Sequence, residues 1–92
     1  MAEYLVELYV SRKDAAVGSR AVRASAAARQ LTEEGAPVRY VRTLFVPEDE
    51  TCFFLYEAES AEAVRTAARR AGFGCGRITE AFGAQEGEEA CL

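Results

Sequence analysis

Histidine is absent from this 92-residue chain. That absence removes the commonest general base near neutral pH and the commonest transition-metal ligand. It excludes Ser-His-Asp and Cys-His catalysis within the chain. No run of 18 apolar residues occurs, so no segment is suited to spanning a bilayer as a helix. Met1-Ala2-Glu3-Tyr4 lacks the basic stretch and apolar block of a signal peptide, so the cytoplasm is the expected location. Positive charge is in deficit: 11 Lys and Arg stand against 15 Asp and Glu, for a net charge of −4. Nucleic acid is an unsuitable partner for that balance, because phosphate binding needs a basic surface. The cysteines, Cys52, Cys75 and Cys91, are odd in number, widely spaced and without a CxxC pair. Neither a zinc site nor a dithiol redox motif follows, and free thiols are expected.

What remains is a globular composition, half hydrophobic and 28% charged. One domain is expected over residues 1–82, followed by a flexible acidic tail, 83–92, that has little to bury. A domain this small buries only roughly 60–65% of its unfolded surface, so a second copy is expected to help stabilise it.

Glu3 to Val10 alternates, with Tyr4, Val6, Leu8 and Val10 on one face and Glu3, Leu5, Glu7 and Tyr9 on the other. That period predicts a strand. A helix is expected from about Ala15 to Glu34, with Asp14 as N-cap and Val17, Ala21, Ala24, Ala28 and Leu31 as its apolar stripe. Gly35 is the expected left-handed stop, and Pro37 prevents continuation. Val38–Val46 and Thr51–Glu57 read as strands joined by the Pro47-Glu48-Asp49-Glu50 turn, its acids solvated. Ser60 caps a second helix striped by Val64, Ala67, Ala68 and Ala71 and ended by Gly72. Arg77–Phe82 is a fourth strand.

The order β-α-β-β-α-β predicts an α+β, ferredoxin-like domain: a four-stranded antiparallel sheet with both helices on one face. The other face is left open. It carries Leu5, Glu7 and Tyr9, and from strand three either Phe53 and Leu55 or Cys52, Phe54 and Tyr56. Either set is a large uncovered apolar surface, which a monomer rarely exposes. A homodimer packed sheet to sheet, a dimeric α/β-barrel, is the expected solution.

Several segments then carry a family resemblance. They are Tyr4-Leu5-Val6-Glu7, Gly35-Ala36-Pro37-Val38-Arg39-Tyr40-Val41, Val46-Pro47-Glu48-Asp49-Glu50-Thr51-Cys52 and Tyr56-Glu57-Ala58. Ser60-Ala61-Glu62-Ala63-Val64-Arg65 and Arg70-Ala71-Gly72-Phe73 complete the set. Over roughly residues 3–82 the chain resembles the small bacterial nickel-binding-protein family, formerly a domain of unknown function. The resemblance implies a ferredoxin-like dimer and nickel as a bound metal, although no metal-ligand motif maps onto any position.

Four residues are candidates for lining a ligand site: Glu7, Tyr40, Cys52 and Tyr56. A carboxylate at Glu7, facing an enclosed dimer space, could serve as acid, base or hard-metal ligand. The plainer alternative is a water-exposed acid or an ion pair with Arg39 or Arg42. Cys52 reads as a soft ligand or nucleophile, or more plainly as a small buried hydrophobe. Tyr40 and Tyr56 read as pocket lining or as sheet core. Cys75 and Cys91 read as inert thiols, and Gly72-Phe73-Gly74-Cys75-Gly76 follows a helix, so it is no phosphate loop. The expected function is a dimeric binding protein for a small hydrophobic molecule or a metal ion. The alternative is a cofactor-independent enzyme, monooxygenase-, cyclase- or isomerase-like, with Glu7 as base and a tyrosine as proton donor.

Overall fold

A computed structural model describes residues 1–74 and 76–83. Cys75, Cys91 and all of the expected tail beyond Gly83 lie outside the described residues. The elements run β1 (Ala2–Tyr9), α1 (Val17–Glu33), β2 (Val38–Val46), β3 (Thr51–Ala58), α2 (Ala61–Arg70) and β4 (Arg77–Ala81). The strands form one antiparallel sheet in the order β2-β3-β1-β4. No helix among the described residues is long and apolar enough to cross a membrane.

Strand parity divides the sheet. Val6, Val38, Cys52, Phe54, Tyr56 and Ala58 are buried on one face, together with Ala24, Ala27, Ala28 and Leu31 of α1 and Val64, Ala67 and Ala68 of α2. Both helices therefore cover that face. Their alanine stripes allow close approach to the sheet. Phe73, just beyond α2, stacks on Phe54 with ring centroids 4.0 Å apart. The turn that delivers it needs Gly72 at φ +85°, with the Phe73 amide donating to the Ala68 carbonyl.

Helix α1 starts later than the sequence suggests. Asp14 does not cap it. The Ser11 hydroxyl accepts from the Lys13 amide and draws Arg12–Asp14 into a short 3₁₀ turn. Ala16 then takes a left-handed conformation, and Val17 opens the helix with no side-chain cap. The Arg20 guanidinium donates to the carbonyls of Ala15 and Asp14 and holds this irregular start. The other punctuation agrees with expectation. Gly35 sits at φ +103°, and Ser60 Oγ accepts from the Ala63 amide at 3.2 Å. An interhelical clamp, Arg70 bidentate on Glu34 at 2.6 and 2.7 Å, joins the C-terminal ends of the two helices.

The β2–β3 turn is not a purely solvated tip. Glu50, left-handed at φ +46°, folds back on the end of β1. Its carboxylate accepts from the Arg12 amide at 3.0 Å and from the Tyr9 hydroxyl at 3.3 Å. Its carbonyl accepts from the Val10 amide at 2.8 Å.

Candidate functional site

The sheet face away from the helices is built row by row from the strand register. One row runs Leu44, Phe53, Glu7, Arg77; the next runs Arg42, Leu55, Leu5, Thr79. Phe53 and Leu55, not Cys52, Phe54 and Tyr56, are the β3 residues on this face. Thr51 and Glu57 share their parity. That polar bracketing is the signal in the sequence that distinguishes the two sets. Leu5, Phe53 and Leu55 are half-buried, whereas Leu44 is 56% exposed. The centre of the face is apolar, and the charged members of these two rows are Glu7, Arg42 and Arg77.

Glu7 is half-buried between Phe53 on one side and Arg77 on the other. It forms no ion pair among the described residues. Arg39 is engaged elsewhere, with Glu57 at 2.7 Å, because those two residues are directly opposed across β2 and β3. Arg42 has no ion pair among the described residues.

The structure separates the four sequence candidates. Glu7 stands on the open face, while Tyr40, Cys52 and Tyr56 point to the helix side. Cys52 is fully buried, and burial pushes its thiol pKa up, against a smaller opposing pull from Arg20. A protonated thiol in that setting is a poor nucleophile.

Tyr40 and Tyr56 do meet. They are cross-strand partners, edge-on, with centroids 6.0 Å apart. The Tyr40 hydroxyl shares a hydrogen bond with Thr43 Oγ1 at 2.5 Å. The Tyr56 hydroxyl is fully buried and has no hydrogen-bond partner among the described residues. Burial raises its pKa above the ordinary tyrosine value, and nearby Tyr40 raises it further. Sequence reasoning named both tyrosines but not their neighbourhood. A groove of about 350 Å³ runs between α1 and edge strand β2, with Tyr40, Val38 and Arg39 on one side and Ala28, Arg29 and Thr32 on the other. Thr32 Oγ1 pins the two elements by donating to the Val38 carbonyl and accepting from the Val38 amide. A β-bulge between Tyr40 and Arg42 bends the strand beside it.

Residues 4–81 match the family model described as nickel responsive protein SCO4226-like. The chain belongs to the SCO4226-like nickel-responsive family. Comparison with curated proteins and with solved structures gives no match. The family's name turns attention to nickel, and the described residues do not fit that ion. No three His, Cys, Asp or Glu residues gather among them, the chain has no imidazole, and Cys52 is sealed in the core. Borderline metals such as nickel favour imidazole and thiolate donors.

Proposed function

We propose that this member of the SCO4226-like family is a non-catalytic, cytoplasmic homodimeric binding module. Its ferredoxin-like domains pair through their open sheet faces as an α/β-barrel. The observation that carries the reading is the Leu44–Phe53–Glu7–Arg77 row beside Arg42–Leu55–Leu5–Thr79. An apolar centre bearing both charge signs is self-complementary under a two-fold axis. A partner copy gives the leucines and Phe53 apolar neighbours and brings cations within reach of Glu7. A small hydrophobic molecule is the fitting occupant of any space enclosed between the sheets, with Glu7 as the polar group that orients it.

The test is calorimetric titration of the untagged protein with an apolar probe, an anilinonaphthalene sulfonate dye, in wild type and Glu7→Gln. Binding that depends on the Glu7 substitution supports the reading. Unchanged affinity, or no binding, removes Glu7 from the site. The enzyme alternative needs a proton donor beside Glu7. Tyr40 and Tyr56 lie on the opposite face, and Tyr9, which shares the face of Glu7, donates its hydroxyl to Glu50, which favours binding over catalysis.

A further inference from the structure

The open sheet face places its charges in a pattern that a two-fold axis can use. Glu7 on β1 stands opposite Phe53, and Arg42 on β2 stands opposite Leu55, with β3 between the two strands. The line from Glu7 to Arg42 therefore crosses β3 between Phe53 and Leu55, at the apolar centre of the face. Strand spacing and rise put the two residues about 12 Å apart along that line. Neither has an ion pair among the described residues. The placement of Arg42 depends on an irregularity in its strand. Tyr40 pairs with Tyr56 and Arg42 with Leu55, so two steps along β2 answer one along β3. That bulge reverses the parity of the rest of β2. Without it, Arg42 and Leu44 would share the helix side with Tyr40; with it, both stand on the open face.

We propose that the site at Glu7 is completed by Arg42 of the partner subunit, and that this reciprocal pair sets the register of the dimer. The contact rests on the sheet-to-sheet pairing already proposed, and it fixes where the axis lies. An axis between the sheets, over β3 at the Phe53–Leu55 pair and at right angles to the Glu7–Arg42 line, brings Glu7 against the partner's Arg42. By symmetry Arg42 meets the partner's Glu7. The same rotation lays the apolar centre of one face on that of the other. Both charges lose water there, and each regains a charge-assisted hydrogen bond. Arg77 is the rival cation, directly opposite Glu7 on β4. An axis that set the partner's Arg77 on Glu7 would run along the β1–β4 seam. Strands β3 and β2 would then overhang the partner, leaving Phe53 and Leu44 uncovered.

The test is charge exchange between subunits, read by sedimentation equilibrium of untagged protein, with circular dichroism checking the fold of each variant. Glu7→Arg sets cation against cation in its own homodimer, and Arg42→Glu sets acid against acid. Each is expected to self-associate at least about tenfold more weakly than wild type. An equimolar mixture of the two restores opposite charges at both contacts, so a heterodimer within about threefold of wild-type affinity is expected. Rescue in trans is something that a role for either residue within its own chain cannot produce. Should a reversal lose its fold, the cycle of Glu7→Gln, Arg42→Gln and the double variant reads the same contact, and the double variant is expected to be no weaker than the worse single one. No rescue in the mixture, or additive losses in the cycle, overturns the proposal. So does rescue of Glu7→Arg by Arg77→Glu. A wild type that stays at the protomer mass overturns the pairing of the faces as well, whereas a wild-type dimer that both reversals leave intact overturns this contact alone.

Discussion

Glu7 and Phe53 stand directly opposite each other on β1 and β3, on the face that neither helix covers. A carboxylate beside a half-buried aromatic ring is a poor arrangement for a surface left in water. Phe53 gains nothing from solvent, and the apolar ring removes part of the hydration that Glu7 needs. In the sheet-to-sheet pairing proposed above, a second sheet covers Phe53, and its cations take the place of the water that Glu7 loses.

Tyr56→Phe removes a buried hydroxyl that has no partner. Leaving such a group unsatisfied costs about 1–3 kcal/mol. The variant is therefore expected to be as stable as wild type or more so, by up to about 2 kcal/mol in chemical denaturation. The difference depends on pH. Burial raises the folded-state pKa of Tyr56, so the neutral phenol's contribution to stability is complete below the unfolded tyrosine value, about pH 10, and is lost as pH rises above it. The advantage of Phe must widen in alkali. A less stable variant would show that the hydroxyl is bonded.

The Arg70–Glu34 clamp predicts an acid-side effect. Its hydrogen bonds hold the Glu34 carboxyl below the usual carboxylate range. A depressed carboxyl contributes stability above its unfolded pKa and loses it as pH falls through the folded value. Arg70→Gln should thus lower the melting temperature at neutral pH, and the two curves should converge in acid. Both groups are solvent-exposed, so the effect is also reduced by salt. A gap that persists at low pH would assign the loss to packing instead.

Gly76 lies just before β4, where the chain passes close to β1. A Cβ there would sit 2.8 Å from Val6 Cγ1 and 3.1 Å from the Glu7 carbonyl oxygen. Gly76→Ala must push β4 away from Val6, which is fully buried, at an expected cost of about 1–3 kcal/mol. Thermal denaturation checks it. An unchanged melting temperature would mean that β4 can shift freely on the sheet.

Much of this architecture was legible in the sequence because local chemistry is strong where it matters. Gly35, Pro37, Ser60 and Gly72 mark their helix ends unambiguously, and the alternation of β1 assigns Glu7 to its face. The start of α1 was not legible. Ser11 and Asp14 are both good caps, and the 3₁₀ turn that favours Ser11 depends on contacts made by Arg20. Nor was it evident that Cys52 and Glu7 lie on opposite faces. Both alternating sets of β3 have an apolar centre, the polar Thr51 and Glu57 at the strand ends are the one local sign of parity, and the ladder with β1 settles it. The α1–β2 groove was invisible because it joins residues from two elements whose docking is tertiary.

Nickel offers a sharp negative prediction. A ligand that binds only the folded state at a hundred times its Kd stabilises by about 2.7 kcal/mol, which is easily seen as a melting shift. Since the described residues gather no donor set, excess nickel should leave the melting temperature of untagged protein within about 1 °C of the chelator control. A large, saturable rise would show that nickel has a genuine site.

The open face itself is tested most directly by sedimentation equilibrium of the untagged chain beside Leu44→Glu/Phe53→Glu. The wild type should behave as a dimer, twice the protomer mass of 10.0 kDa, at tens of micromolar. The variant buries two carboxylates in the same contact and should associate at least about tenfold more weakly, with its helical signal intact. A wild type that stays at the protomer mass, or a variant that dimerises equally well, would contradict the pairing of these faces.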